Sequence, residues 1–168
     1  MGSSFGSPTL IGTATERKLF LLGLRYGRIL GGSRNVAYEY TADVIPVAFV
    51  FQPDFARRIN RHDDAAVYGT GVSPVGFRFI FNRRGRVKPF AGLSGGFLYT
   101  HRPVPVDVAG ATRFNFTFDF GGGVQVFTRQ RWAITIGYNF HHLSNANRSR
   151  VNPGLDSNVI HAGFSFFK

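Results

Sequence analysis

Residues 113–120 read Arg-Phe-Asn-Phe-Thr-Phe-Asp-Phe, RFNFTFDF. Phe114, Phe116, Phe118 and Phe120 occupy every second position, with Asn115, Thr117 and Asp119 between them. Side chains of a β-strand point alternately to its two faces, so this spacing puts all four rings on one face and the polar groups on the other. A helix would scatter the rings around its circumference. The stretch therefore predicts a strand with one apolar and one polar face.

The same period of two recurs along the chain. Trp132, Ile134, Ile136, Tyr138 and Phe140 oppose Ala133, Thr135, Gly137 and Asn139; Val75, Phe77, Phe79 and Phe81 oppose Gly76, Arg78 and Ile80. Residues 18–30 and 35–43 repeat it less strictly, and no segment longer than one turn reads as an amphipathic helix. The breaks alternate between short (GGSR, NRRGR, TRQR) and long (QPDFARRINRHDDA, HRPVPVDVAGA, NANRSRVNPG). That rhythm matches an outer-membrane barrel, with tight periplasmic turns and longer extracellular loops. Strands are predicted near 5–14, 17–30, 35–51, 66–82, 87–100, 112–128, 132–144 and 156–167. The first contains Pro8 and alternates poorly, but an even count returns both termini to one side.

Composition agrees with an all-β chain. There are 19 Phe and 21 Gly in 168 residues, and no Cys, so disulfides and thiolate metal sites are excluded. The length suits one domain spanning 1–168. No apolar run approaches the ~20 residues of a membrane-spanning helix. The net charge of +11 suits an anionic partner. Phe-rich strands with basic loops fit an anionic membrane surface, and no nucleic-acid-binding motif is present. Residues 1–8 lack a basic stretch followed by an apolar one, as expected of an exported chain whose signal peptide has been removed.

Which face is the outside decides the class. In a soluble, lipocalin-like barrel the large apolar residues point in and the charges out. Here Arg25, Glu39, Asp43 and Arg78 share a face with the small residues, and a narrow lumen can hold them if they pair with one another. The expected fold is an eight-stranded antiparallel transmembrane β-barrel, with the soluble barrel as the alternative.

The last hairpin carries the chemistry. Residues 140–158 read FHHLSNANRSRVNPGLDSN. Continuing the parity of residues 132–140 sends His142 and Ser144 outward and His141 into the lumen. Counting back from Ile160 through Asn158 sends Asp156 outward on the neighbouring strand. A hydroxyl, an imidazole and a carboxylate on adjoining strands form a nucleophile, a base and an orienting acid. The bland reading is a polar loop start with ordinary residues.

The stretch also resembles the C-terminal signature of the outer-membrane lipid A 3-O-deacylases, the PagL family. His142, Ser144, Asn145 and Ala146 match it directly, and Asp156 stands where the family has Glu. KPFAGLSGG at 88–96 and the Gly-rich strand before Arg129 look alike too. The resemblance implies an eight-stranded barrel whose site opens to the outer leaflet. It implies Ser144 as nucleophile, His142 as general base, Asp156 as orienting acid and Asn145 at the oxyanion. It further implies hydrolysis of the ester-linked 3-position acyl chain of lipid A, with lipopolysaccharide as partner and no metal or other cofactor. The shorter Asp serves only if its backbone sits closer to the histidine or a water bridges the gap.

Other residues are placed more loosely. Arg57, Arg58, Arg148 and Arg150 lie in predicted external loops and are candidates for the lipid A phosphates; charged loops also simply stay solvated. His62, Asp63 and Asp64 read better as a solvated loop than as a metal site. His161 points to the lumen, and His101 begins a loop. The competing functional reading is a non-enzymatic structural or adhesive barrel, whose last hairpin needs no reactive serine.

Overall fold

The computed structural model describes residues 1–14, 17–52 and 66–168. Its elements are β1 (Gly2–Gly6), β2 (Lys18–Gly32), β3 (Val36–Phe51), β4 (Ala66–Phe81), β5 (Val87–Val104), β6 (Thr112–Arg129), β7 (Trp132–Ser144) and β8 (Leu155–Phe166). Each pairs antiparallel with the next, and β1 pairs with β8 to close the ring. The closure is narrow, because the short β1 pairs with β2 only at Gly2–Leu21 and Ser3–Phe20 and with β8 only between His161 and Asn158.

One expectation needs correction. The first strand was predicted over 5–14, but β1 ends at Gly6. Pro8 has no N–H to donate to a ladder, and residues 7–14 lack an alternating pattern. Those residues instead make their bonds to the start of β8: Thr13 N to Pro153 O at 2.8 Å and Ala14 N to Gly154 O at 3.1 Å.

The faces divide as an inside-out protein would. Leu24 (73% exposed), Ile136 (60%) and Phe164 (67%) belong to a continuous exterior of large apolar residues. Rings pair across strands within it, Trp132 on Phe164 at 4.8 Å and Tyr38 edge-on to Phe79 at 5.6 Å. An apolar exterior of this extent is one that lipid covers. The lumen holds the charges. Arg25 forks onto both Asp43 oxygens at 2.7 Å, and Arg78 approaches Glu39 at 3.3 Å. Each pair sits directly opposite in the sheet register. A soluble barrel would need the reverse arrangement, so that alternative is set aside.

The strands approach one another closely around this lumen. At Gly121 an added Cβ would lie 2.5 Å from Asn139 Oδ1 and closer still to the Tyr138 carbonyl, so only glycine fits. Toward the end bearing the long loops, Leu19, Val50, Val67, Leu98, Leu143 and Leu155 close the lumen with an apolar plug. The plug gives β7 and β8 a rigid backing where their outer faces carry the polar hairpin residues.

Candidate active site

β6, β7 and β8 pair in a register that fixes the outer face. Phe116 lies opposite Ser144, Phe118 opposite His142, and His142 opposite Asp156. Directly paired residues of antiparallel strands share a face, with Cβ atoms about 4.5–5.5 Å apart. Phe116 and Phe118 are exposed on the exterior, so His142, Ser144 and Asp156 lie on that exterior too. Below them on the same face, Tyr138 donates to Asn158 Oδ1 at 2.6 Å.

His142 Nδ1 donates to Asp156 Oδ1 at 2.6 Å. The short aspartate reaches because it is the direct cross-strand partner of the histidine, so no bridging water is needed to span the missing methylene. With Nδ1 carrying the proton, Nε2 is left with its lone pair as a base. The other carboxylate oxygen, Oδ2, accepts from Ile11 N at 2.7 Å and Gly12 N at 2.9 Å. Asp156 therefore faces outward yet has no solvent-exposed side chain, while His142 keeps 14%. The segment that covers it is the stretch 7–14, which also sends the Ser7 hydroxyl to the Asp156 carbonyl at 2.9 Å.

Ser144 is half-buried, and its hydroxyl makes no hydrogen bond among the described residues. It stands two residues along β7 from His142, a Cα spacing of about 6.8 Å that the two side chains can bridge by rotation. Contacts of this kind are often long before substrate binds.

Asn145 is buried and organises the loop that follows. Its Nδ2 donates to Val151 O at 2.8 Å, its Oδ1 accepts from Asn147 N at 3.0 Å, and its own N–H donates to Asn152 Oδ1 at 3.1 Å. Arg148 N closes back onto Asn145 O at 3.1 Å. Ala146 and Asn147 both have positive φ, 51° and 60°. Two such residues inside an i to i+3 bond mark a type I′ turn. An alanine in the left-handed region is uncommon and disfavoured, so the surrounding bonds hold it there.

Of the arginines, Arg148 sits with its guanidinium 5.4 Å from the centre of the Phe114 ring. Phe114 is the outward neighbour of Phe116 on β6, so this cation lies on the same face as Ser144, one step toward the loop end. Arg150 is exposed in the same loop. Arg57 and Arg58 lie outside the described residues, as do His62, Asp63 and Asp64. His101 stacks on Tyr68 at 4.2 Å, and His161 packs in the lumen near Phe90.

The lumen holds a second aspartate–histidine pair. Asp119 Oδ1 meets His141 Nδ1 at 2.7 Å, at the same level as His142 but facing inward. It is enclosed by the barrel wall and has no route to a lipid substrate.

Sequence reasoning missed the Ile11 and Gly12 amides. They are main-chain groups 145 and 144 residues away from the carboxylate they bind, and nothing local in LIGT signals it.

The family model for lipid A 3-O-deacylase (PagL) matches residues 25–165. Among solved structures, the crystal structure of the outer membrane enzyme PagL superposes with a TM-score of 0.75 at 15% identity, covering 99% of this chain and 97% of that one. No curated protein sequence matches the chain.

Proposed function

The chain belongs to the lipid A 3-O-deacylase (PagL) family, and from that premise we propose that Ser144, His142 and Asp156 carry out its reaction at the surface of the bacterial outer membrane. The substrate is lipid A of the outer leaflet, and the bond broken is the ester to the acyl chain at the 3-position. The observation that carries the assignment of residues is the 2.6 Å bond between His142 Nδ1 and Asp156 Oδ1 on the lipid-facing side. Ser144 is the hydroxyl that shares its face and strand.

In this mechanism Ser144 Oγ attacks the ester carbonyl carbon as its proton passes to His142 Nε2. The imidazolium is stabilised by the Asp156 carboxylate, which stays unprotonated. Collapse of the tetrahedral intermediate breaks the bond to the sugar oxygen, which takes the proton from Nε2 and leaves as the alcohol. Water, deprotonated by the same nitrogen, then attacks the acyl-serine and frees the fatty acid. Developing negative charge on the carbonyl oxygen needs pre-set donors. The second Nδ2 hydrogen of Asn145 is proposed as one of them, its amide plane being fixed by the bonds to Val151 and Asn147. Arg148 and Arg150 are proposed to bind lipid A phosphate. An ester of a membrane lipid lies near the headgroup boundary, which is why a site on the barrel's exterior suits it. No metal or cofactor enters any step.

The test is mass spectrometry of lipid A after incubation with the refolded parent and with Ser144→Ala. The parent is expected to remove one 3-position acyl mass, and the variant none. Equal products from both proteins would remove Ser144 from the chemistry. No product from either would favour a structural barrel.

A further inference from the structure

Residues 7–14, which follow β1, lie alongside the start of β8, with Ala14 bridged in parallel to Leu155, far in sequence from the residues they touch. They precede the stretch matched by the family model. Their Ile11 and Gly12 N–H groups both point at Asp156 Oδ2. Their backbone is held to the far side of the same hairpin at Pro153 and Gly154. An added Cβ at Gly12 would lie 2.7 Å from the Gly154 carbonyl carbon and oxygen, so the approach depends on this glycine. Gly154 in turn lies beside the His142 ring, since a Cβ built on it would be 3.3 Å from His142 Cε1.

We propose that the β1–β2 loop is a positioning element of the active site: the Ile11 and Gly12 amides clamp one oxygen of Asp156 so that the other stays aimed at His142 Nδ1. This rests on the reading of His142 and Asp156 as base and acid. A carboxylate can rotate about its Cβ–Cγ bond, and two donors on one oxygen set that rotation. A fixed carboxylate in turn keeps the histidine proton on Nδ1, so the loop acts on catalysis through the tautomer. The clamp also accommodates an acid shorter by one methylene than the family's glutamate. A shorter side chain has fewer rotamers and places its oxygens nearer its own strand, within reach of a loop that lies against that strand.

The experiment compares Gly12→Ala, Ile11→Pro and Ile11→Val in refolded protein, with folding checked by the heat-dependent gel mobility of closed barrels. Gly12→Ala forces the loop off Gly154, and Ile11→Pro deletes one donor while leaving that contact alone. Both are expected to lower kcat by about 10-fold or more, the loss of a hydrogen bond to a charged group, with KM little changed. Both are also expected to shift the low-field proton resonance of His142 Nδ1–H, a signal that a merely structural loop would not move. Ile11→Val keeps the N–H and is expected to match the parent. Should Gly12→Ala fail to fold, Ile11→Pro alone carries the test. Parental kcat and an unmoved resonance in the folded variants would overturn the clamp. The Ser144→Ala result stands apart: activity there removes the catalytic reading itself, whereas an inactive Ser144→Ala beside a fully active Ile11→Pro removes only the role of the loop.

Discussion

Replacing Asp156 by Asn keeps the shape of the side chain and removes its charge, and the structure dictates which way the new amide turns. Oδ2 receives two main-chain donors, at 2.7 and 2.9 Å. The carboxamide oxygen must take that place, which puts its NH2 group where Oδ1 now meets His142 Nδ1 at 2.6 Å. Two N–H groups cannot face each other there, so the histidine proton moves to Nε2. A protonated Nε2 cannot accept the Ser144 proton. The opposite turn restores the tautomer but leaves the buried Gly12 N–H and the part-buried Ile11 N–H without acceptors, at about 1–3 kcal/mol each and nearer the low end for Ile11. Taking the low end, about 2 kcal/mol in total, the useful arrangement holds about 3% of molecules, a loss of about 30-fold. The same substitution in a Ser-His-Asp triad costs about 10⁴-fold, so the expected loss lies between these limits. The assay is the rate of fatty acid release from lipid A in mixed micelles, alongside nitrogen NMR of the histidine rings to read the tautomer. A folded Asp156→Asn protein within 10-fold of the parent, or one whose His142 keeps its proton on Nδ1, would refute the reasoning.

Other substitutions probe the loop, the lumen and the headgroup contacts. Glu39→Gln removes the nearest counter-charge of the buried Arg78 and should lower the unfolding free energy by about 3 kcal/mol in guanidinium titrations, with kcat of the folded protein unchanged; a loss under about 1 kcal/mol would show that the lumen pair contributes little. Ala146→Val places a β-branched residue at a φ of 51° and should cost about 1–2 kcal/mol of stability while slowing turnover through the displaced Asn145; unchanged melting would mean the turn relaxes freely. Arg148→Ala should raise KM about 3-fold or more with kcat nearly constant, and the effect should vanish on lipid A stripped of phosphate, because a point charge at the rim binds ground state and transition state alike.

The strands were legible because a barrel in lipid obeys a strict alternation. Phe114 to Phe120 could only be a strand, and the charges of Arg25, Asp43, Glu39 and Arg78 on the small-residue face already pointed to a polar lumen. The same counting carried His142, Ser144 and Asp156 to one face, because parity survives along a strand without bulges, and β7 pairs with β8 without a register shift. Counting failed where there is no period to count. Residues 7–14 were assigned to a strand, yet they form a loop most of whose bonds go to a hairpin at the other end of the chain. Asn145 shows the same limit. Its position in the motif pointed to an oxyanion, but its buried amide is also tied into a turn whose left-handed residues, Ala146 and Asn147, have no signature as strong as glycine.

Adjacent positions on β7 divide the work of the barrel. His141 and His142 differ by one residue and face opposite sides of the wall, and each is bonded to an aspartate of a neighbouring strand, Asp119 on β6 and Asp156 on β8. The inward pair ties β7 to β6, and the outward pair ties β7 to β8, at a single level of the sheet. Any sliding of β7 by one residue would exchange the two faces and break both pairs together. The inward histidine therefore protects the register on which the outward site depends. It does so from inside the wall, on the face turned away from lipid. The His142–Asp156 pair on the lipid-facing surface has no pocket around it among the described residues, and here the wall lies behind it and residues 11 and 12 bond its carboxylate from the other side.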